Sequence, residues 1–445
     1  MKIDTLYSVK IKEHSHIFKE SVSLYRDAVD FLISVCIDNW EAVSFQKDGL
    51  RKKKLIEHLV HKTSRFPDPA YPDFDSRFYK FPSYLMRGAI AEALGRASSY
   101  KSNLKNWQGA DPSSRGSEPS APKAGYCYPC LYRDNMFVRT GTYEAQIKVF
   151  IRNTWDWITV KLRKSDADYI AHHCSDRKEC APVLQKRGRQ WYLDFCFEED
   201  VTLKDNDIYN STIVAVDLGI NNACTCSVMR SDGTVSGRYF YKLPEEYDCL
   251  KRKTDNIKRA QRHGSRDVHN LWNYVKGVNH DISVKTASFI EGIACMHNAD
   301  VIVFEHLDTS GKKRGSKKQK LALWRKAEVQ RIVTDKVHRL GMHISHICAW
   351  GTSKLAYDGS GTVLRGSKST RTGGSYSVCE FKSGKVYNCD LNASYNIGAR
   401  YFIREIMKTL PVTERQRIKA KVPQCVKRST CTLATLINLD SALYA

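Results

Sequence analysis

The chain has 445 residues, room for two or three domains, and its 42% hydrophobic and 27% charged content is that of a globular protein, which excludes disordered, collagen-like and disulfide-scaffold classes. Lys and Arg total 71 against 48 Asp and Glu; the formal net charge of +23 points to a polyanionic partner, nucleic acid first, and makes a small acidic substrate an insufficient explanation. The Met1-Lys2-Ile3-Asp4 start is not that of a secretory signal, no apolar run approaches the roughly 18 residues of a membrane span, and 15 scattered cysteines suit a reducing compartment, so a cytoplasmic protein with no membrane partner is expected.

Val22, Tyr25, Val29, Leu32 and Cys36 recur at spacings of three and four, which predicts a helix within 17–40. Met86, Ile90, Leu94 and Ala97, following Pro82 and a candidate N-cap at Ser83, predict a second, and the pair defines a helical lobe over 16–108. Residues 109–125, rich in Gly, Ser, Pro and Ala, read as a linker. Beyond it Gln146 to Ile151, Trp157 to Leu162 and Trp191 to Phe197 alternate with period two; with an N-terminal strand at Leu6 to Ile11 they predict a small β-barrel from 1–15 and 126–208. Cys127 and Cys130 have the spacing of half a metal site or of a redox motif, but no second pair accompanies them.

The remainder, 209–445, reads as one α/β domain. Ile213 to Val216 is a short continuous apolar run, as expected of a strand buried on both faces, and Asp232-Gly233 between Ala223 to Met229 and Thr234 to Tyr241 signals a hairpin. Then come a helical pattern through Ile282, Phe289, Ile293 and Met296, a buried strand Val301 to Phe304, a helix through Val329, Val333, Val337 and Leu340, a strand Met342 to Cys348 and a helix from about 391. The order βββαβαβα is that of an RNase H-like domain.

Asp217 and Glu305 each follow a buried strand immediately. If those strands are parallel neighbours the two carboxylates converge, and Asp390, beside the last helix, would join them. Taken singly, Asp217 with Gly219 reads equally as a turn and Asp390 as an N-cap. Three carboxylates at one edge repel each other unless cations lie between them. An all-oxygen set favours Mg²⁺, with Mn²⁺ the substitute, and two such ions would activate water and stabilise the leaving oxygen of a phosphodiester.

Val216-Asp217-Leu218-Gly219-Ile220-Asn221-Asn222, Val303-Phe304-Glu305-His306-Leu307, Thr352-Ser353-Lys354 and Asp390-Leu391-Asn392-Ala393-Ser394-Tyr395-Asn396-Ile397 resemble the RuvC motifs of the TnpB proteins of insertion sequences and of the compact type V CRISPR effectors derived from them. The resemblance covers about 211–405. It implies an RNA-guided, Mg²⁺-dependent DNA endonuclease with a RuvC domain, an N-terminal wedge barrel and an inserted helical recognition lobe. It implies Asp217, Glu305 and Asp390 as metal ligands and Asn392 as a residue that holds the site or a substrate phosphate. The implied partners are a guide RNA and double-stranded target DNA bearing a short adjacent motif, bound by a monomer in a prokaryotic cell, near its nucleoid. Family members commonly carry a four-cysteine zinc ribbon after the Thr-Ser dipeptide. Here the 351–389 insertion keeps only Cys379 and Cys389, so no structural zinc is expected and the segment reads as a hairpin around Ser383-Gly384-Lys385, held by packing.

Two basic clusters are candidates for phosphate contact. Lys251, Arg252, Lys253, Lys258, Arg259, Arg262 and Arg266 would lie on a basic helix over 247–278, with Arg252, Arg259 and Arg266 along one side. Lys312, Lys313, Arg314, Lys317 and Lys318, continuing to Lys326, read as a mobile loop over the catalytic edge. Two rivals remain: a strand-transfer transposase, which uses the same fold and metals but attacks with a DNA 3′ hydroxyl, and a non-catalytic nucleic-acid-binding regulator.

Overall fold

The computed structural model describes residues 1–12, 15–113, 115–205, 207–219, 222–265, 267–307, 317–369 and 371–444, and the chain divides into two units, 2–199 and 200–445 with Met1. Among the described residues no helix is long and apolar enough to cross a membrane.

The first unit runs β1 (Lys2–Ile11), α1 (Ser15–Asp38), α2 (Trp40–Phe45), α3 (Gly49–Val60), α4 (Asp73–Arg77), α5 (Ser83–Gln108), β2 (Phe137–Arg139), β3 (Glu144–Ile151), β4 (Thr154–Lys161), α6 (Lys164–His173), β5 (Lys178–Glu179), β6 (Val183–Arg187) and β7 (Gln190–Asp200). β7 pairs with β1, β5 and β6, and β3 lies between β2 and β4; an isolated bridge, Ile11 to Leu162, links the ends of β1 and β4. The alternation of Trp191, Leu193, Phe195 and Phe197 buries one face of β7, and those side chains share a single core with Phe18, Val22, Val29 and Leu32 of α1 and Met86 and Ile90 of α5. Helices and strands expected as separate bodies therefore form one unit.

Two local expectations, the cap at Ser83 and an unbroken strand region, are corrected, and the 109–125 loop gains anchors. Ser83 is the first helical residue and Pro82 stands at the cap with no side-chain bond. The 109–125 segment is strapped to the helices: Ala124 N–H donates to Asp30 at 2.6 Å, Arg96 to the Lys123 carbonyl at 3.1 Å and the Trp107 indole to the Gly116 carbonyl at 2.7 Å. α6 interrupts the strand region. The Cys127 thiol donates to Glu92 at 3.2 Å, and burial with that carboxylate pushes it up to about 11, the reverse of a reactive thiolate.

The second unit runs β8 (Ile213–Asp217), β9 (Cys224–Met229), β10 (Val235–Tyr241), α7 (Pro244–Arg262), α8 (His269–Met296), β11 (Val301–Glu305), α9 (Lys317–Arg339), β12 (His343–Ile347), β13 (Val378–Glu380), β14 (Val386–Asn388), α10 (Cys389–Thr409), α11 (Val412–Lys421) and α12 (Leu433–Leu443). The five-stranded sheet has the order β10-β9-β8-β11-β12, with β8, β11 and β12 parallel and the β8-β9-β10 meander antiparallel. Because side chains alternate across a strand, Val214, Val216, Ile302 and Phe304 face α8 and α9, while Ile213, Ala215, Val301 and Val303 face α10 and the C-terminal helices. α10 lies so close that a Cβ on Gly398 would meet the Met229 sulfur at 2.4 Å and Ala215 Cβ at 3.2 Å.

α8 buries Val275, Ile282, Ile290 and Ile293, and the expected stripe member Met296 is exposed at the helix end. The basic helix expected over 247–278 is broken. α7 ends in a Schellman turn, with Gly264 at φ +79°, its N–H on the Gln261 carbonyl and the Ser265 N–H on the Ala260 carbonyl. The β13–β14 hairpin turns at 383–385 as expected, around a small core of Ala356, Val363, Cys379, Phe381 and Cys389.

Candidate active site

The end of the parallel sheet places two acids side by side. Val216 is in register with Phe304 across the β8–β11 ladder, so Asp217 and Glu305, the next residue of each strand, lie on neighbouring strands about 4.8 Å apart in backbone spacing. Both continue the alternation of Ala215 and Val303, the face that α10 covers. Asp390 enters in the first turn of α10; the cap itself is Asn388, whose side chain accepts from the Asp390 and Leu391 N–H groups. Asp390 is thus free of the capping role. Its carboxylate instead accepts from the Asn222 amide at 2.6 Å. That bond ties the segment after β8 to α10, and the close approach there needs Gly219: a Cβ on it would meet the Asn222 carbonyl oxygen at 2.6 Å.

Glu305 accepts from the buried Thr352 hydroxyl, which assigns a partner to the Thr-Ser-Lys motif, and its main-chain carbonyl accepts from Gln330 at 2.8 Å. The loop that carries Thr352 is held by polar residues spaced four apart on the buried side of α10. Asn392 accepts from Tyr357 N–H and donates to the Leu355 carbonyl, each at 2.8 Å; Asn396 donates to the Thr352 and Leu355 carbonyls, each at 2.9 Å. Arg400 donates to the carbonyls of Cys348, Trp350, Ser429 and Cys431 at 2.8–3.1 Å. Of the two roles expected for Asn392, holding the site or holding a substrate phosphate, the geometry fits the first: it is fully buried with its amide committed to the loop. Asn396 and Arg400 are additions. Their sequence signal is a polar row at i, i+4 and i+8 among the mainly apolar residues from Leu391 to Ile403.

The electrostatics follow from crowding. Asp217 retains some surface, yet atoms pack its carboxyl closely; burial, then the charges of Glu305 and Asp390, push it up to about 8, with Lys326 opposing. Its folded value lies above the unfolded value of about 3.9, so the fold holds a proton that the unfolded chain has released and loses stability as the pH rises from about 4 to about 8. The unfolding midpoint of the metal-free chain is expected to fall across that window, and Asp217→Asn should remove much of the fall. Equal pH profiles for the two proteins would contradict the shift.

Among the described residues no three His, Cys, Asp or Glu side chains close into a single-ion cage. Mg²⁺ does not require one, since it keeps several waters and takes one or two carboxylates plus substrate oxygens. A hard-oxygen donor set, mutually repelling and opposed by one lysine, fits such ions.

On α7, Leu250 and Ile257 face inward, and Lys251, Arg252, Lys258, Arg259 and Arg262 are exposed. Lys253 lies over the Tyr274 ring at 4.4 Å, and Lys258 pairs with Asp255 at 2.8 Å. Arg266, Lys312, Lys313 and Arg314 lie outside the described residues. Lys317 and Lys318 open α9, so from 317 the expected loop is a helix, in keeping with its run of Lys, Gln, Leu and Ala.

Residues 5–151 match the model of the Aq_aa04 family. The uncharacterized protein aq_aa04 of Aquifex aeolicus (strain VF5) is 37% identical over 149 residues, 30% of this chain and 83% of that protein. The TnpB-like protein aq_aa05 of the same organism is 27% identical over 243 residues, 48% of this chain and 74% of that protein. Among solved structures, the cryo-EM structure of the Cas12f1-sgRNA-target DNA complex is similar with a TM-score of 0.54 at 14% identity, covering 86% of this chain and 81% of that one, a likeness of fold. The chain belongs to the Aq_aa04 family, is similar to a TnpB-like protein over about half its length, and shares the fold of the Cas12f1 structure.

Proposed function

We propose that the chain is an RNA-guided DNA endonuclease whose RuvC-type site is built from Asp217, Glu305 and Asp390. The observation that carries this reading is that β8 and β11 end side by side at Asp217 and Glu305, and that burial first, then the charges of Glu305 and Asp390, push Asp217 up. The aq_aa05 relative is named TnpB-like, and the Cas12f1 structure holds an sgRNA and target DNA; both support the same class. In this reading 2–199 supplies the wedge barrel and recognition lobe that grip guide and duplex, and the exposed basic face of α7 contacts phosphates.

The three carboxylates would hold two Mg²⁺ ions, which when bound supply an activated water and charge neutralisation for phosphodiester hydrolysis. The protein's own contribution is orientation: Thr352 fixes Glu305, Asn222 fixes Asp390, and Lys326 supplies positive charge beside Asp217. A strand-transfer transposase would use similar acids but needs no guide. Purification from cells should return the chain with a discrete structured RNA, and that complex should cut DNA matching part of the RNA. A chain free of RNA that joins DNA 3′ ends to a target would replace this reading with transposition.

A further inference from the structure

Thr225, on β9, is 1% exposed, and among the described residues its hydroxyl makes no hydrogen bond. Register fixes where it sits. Across the antiparallel β8–β9 ladder Thr225 is directly opposite Asp217, a pairing that puts Cβ atoms about 4.5–5.5 Å apart on one face of the sheet. Its neighbours Cys224 and Cys226 pack with Val214 and Val216 toward α8 and α9, so Thr225, like Asp217, faces α10. On the other side, across the β9–β10 ladder, the opposite residue is Phe240, whose side chain offers no acceptor.

A second bearing comes from α10, where Ser394 bonds Ser227 of β9. Asp390 precedes Ser394 by four residues, about 6 Å along the helix axis, and Thr225 precedes Ser227 by two, about 6.8 Å along the strand. The bond from Asn222 to Asp390 sets the start of α10 at the end of β8, which is where β9 begins. The two steps therefore run the same way and nearly match, and they bring the Thr225 hydroxyl between Asp217 and Asp390. Thr225, Asp217 and Glu305 thus form one row across β9, β8 and β11. Buried hydroxyls are nearly always bonded, and the exceptions concentrate where the group serves a site.

We propose that Thr225 is a positioning residue for the metal site: its hydroxyl donates to one oxygen of the Asp217 carboxylate and so fixes the other toward the cation. That a divalent cation binds these acids rests on the proposed function; what the row adds is the residue that orients the central acid. The other two acids each have one neutral donor, Thr352 for Glu305 and Asn222 for Asp390, and among the described residues Asp217 has none. Thr225 supplies the third. A hydroxyl suits the task because it gives one hydrogen bond and no charge, so it orients a carboxylate without competing with a cation for it. Its branched side chain is stiff at χ1, which holds the donor in place.

Mn²⁺ binding to the full chain, read by calorimetry, tests the proposal, together with the unfolding midpoint and the Mg²⁺ dependence of cleavage by the RNA-bound chain. Thr225→Val, which keeps the shape and removes the hydroxyl, should bind Mn²⁺ about tenfold or more weakly and need correspondingly more Mg²⁺ for half-maximal cleavage, the scale of losing an outer partner of a metal ligand. Its midpoint without metal should equal or exceed that of the wild type, because no bonded group is lost. Thr225→Ser keeps the hydroxyl and should stay within severalfold of the wild type in both metal readouts. Valine and serine variants impaired alike, with lowered midpoints, would assign the effect to packing and overturn the proposal. Unchanged Mn²⁺ affinity in Thr225→Val, with the wild type cutting matched DNA, would reject the role of Thr225 only. Weakened Mn²⁺ binding in Thr225→Val, with a wild type that binds Mn²⁺ but cuts nothing, would uphold that role and reject the nuclease reading only. A wild type that binds no Mn²⁺ would overturn both.

Discussion

Arg400→Met should lower stability by on the order of 3 kcal/mol or more, because one side chain satisfies four main-chain carbonyls in the interior and its removal leaves them without donors. Arg400 is 4% exposed and burial lowers its pKa; the charge of Glu305 bears on it but among the described residues it forms no ion pair, so its value is in hydrogen bonds to the 348–350 and 429–431 segments. In a unit of this size that loss corresponds to a fall of about 10 °C in unfolding midpoint. The consequence for chemistry travels through Trp350, Gly351 and Thr352 to Glu305. Outer partners of metal ligands typically contribute ten- to a hundredfold to activity or metal affinity, and cleavage measured well below the new midpoint should fall by about that factor. Arg400→Lys, which keeps charge but loses the planar fork, should recover only part of the stability. An Arg400→Met protein as stable and as active as the wild type would show that the row on α10 does not hold the loop.

The sheet was legible because its strands are buried on two faces. Ile213 to Val216 and Val301 to Phe304 are unbroken apolar runs, and the first acid after each marks the sheet's end. Register then does the rest, since equal strand ends set Asp217 beside Glu305. Asp390 was legible as an acid at a helix start but ambiguous between cap and site. Asn388, two residues earlier, settles that ambiguity only once its side-chain bonds are seen.

The interior row of Asn392, Asn396 and Arg400 was not legible in the same way. A polar residue on a helix reads as surface unless its partners are known, and here the partners are carbonyls of a loop some 30 to 50 residues away in sequence. The break after α7 was legible and overlooked: His263-Gly264 closing a basic last turn is a C-terminal signature. Charge misled at the second basic cluster, where a lysine-rich run suggested a loop although Lys, Gln and Leu are good helix formers and α9 is built from them. Arg325 lies within that run, yet turns inward to a cavity that no periodicity in the sequence outlines.

The largest expected effect concerns Asp217. It is the acid on which the charges of the other two converge, and asparagine keeps its shape while removing the negative charge that a cation needs. Asp217→Asn should therefore bind guide and target as the wild type does, because the exposed basic face of α7 is untouched. Its cleavage rate should fall by about a thousandfold or more, the scale of removing a group that acts at the reacting atoms. The direct measurement is single-turnover cleavage of guide-matched DNA in Mg²⁺ by the RNA-bound wild type, Asp217→Asn, Glu305→Gln and Asp390→Asn, with target binding measured in parallel. The account predicts cutting by the wild type alone and equal target binding by all four; wild-type cutting by any one of the three variants would remove that acid from the site and contradict the convergence on which the function rests.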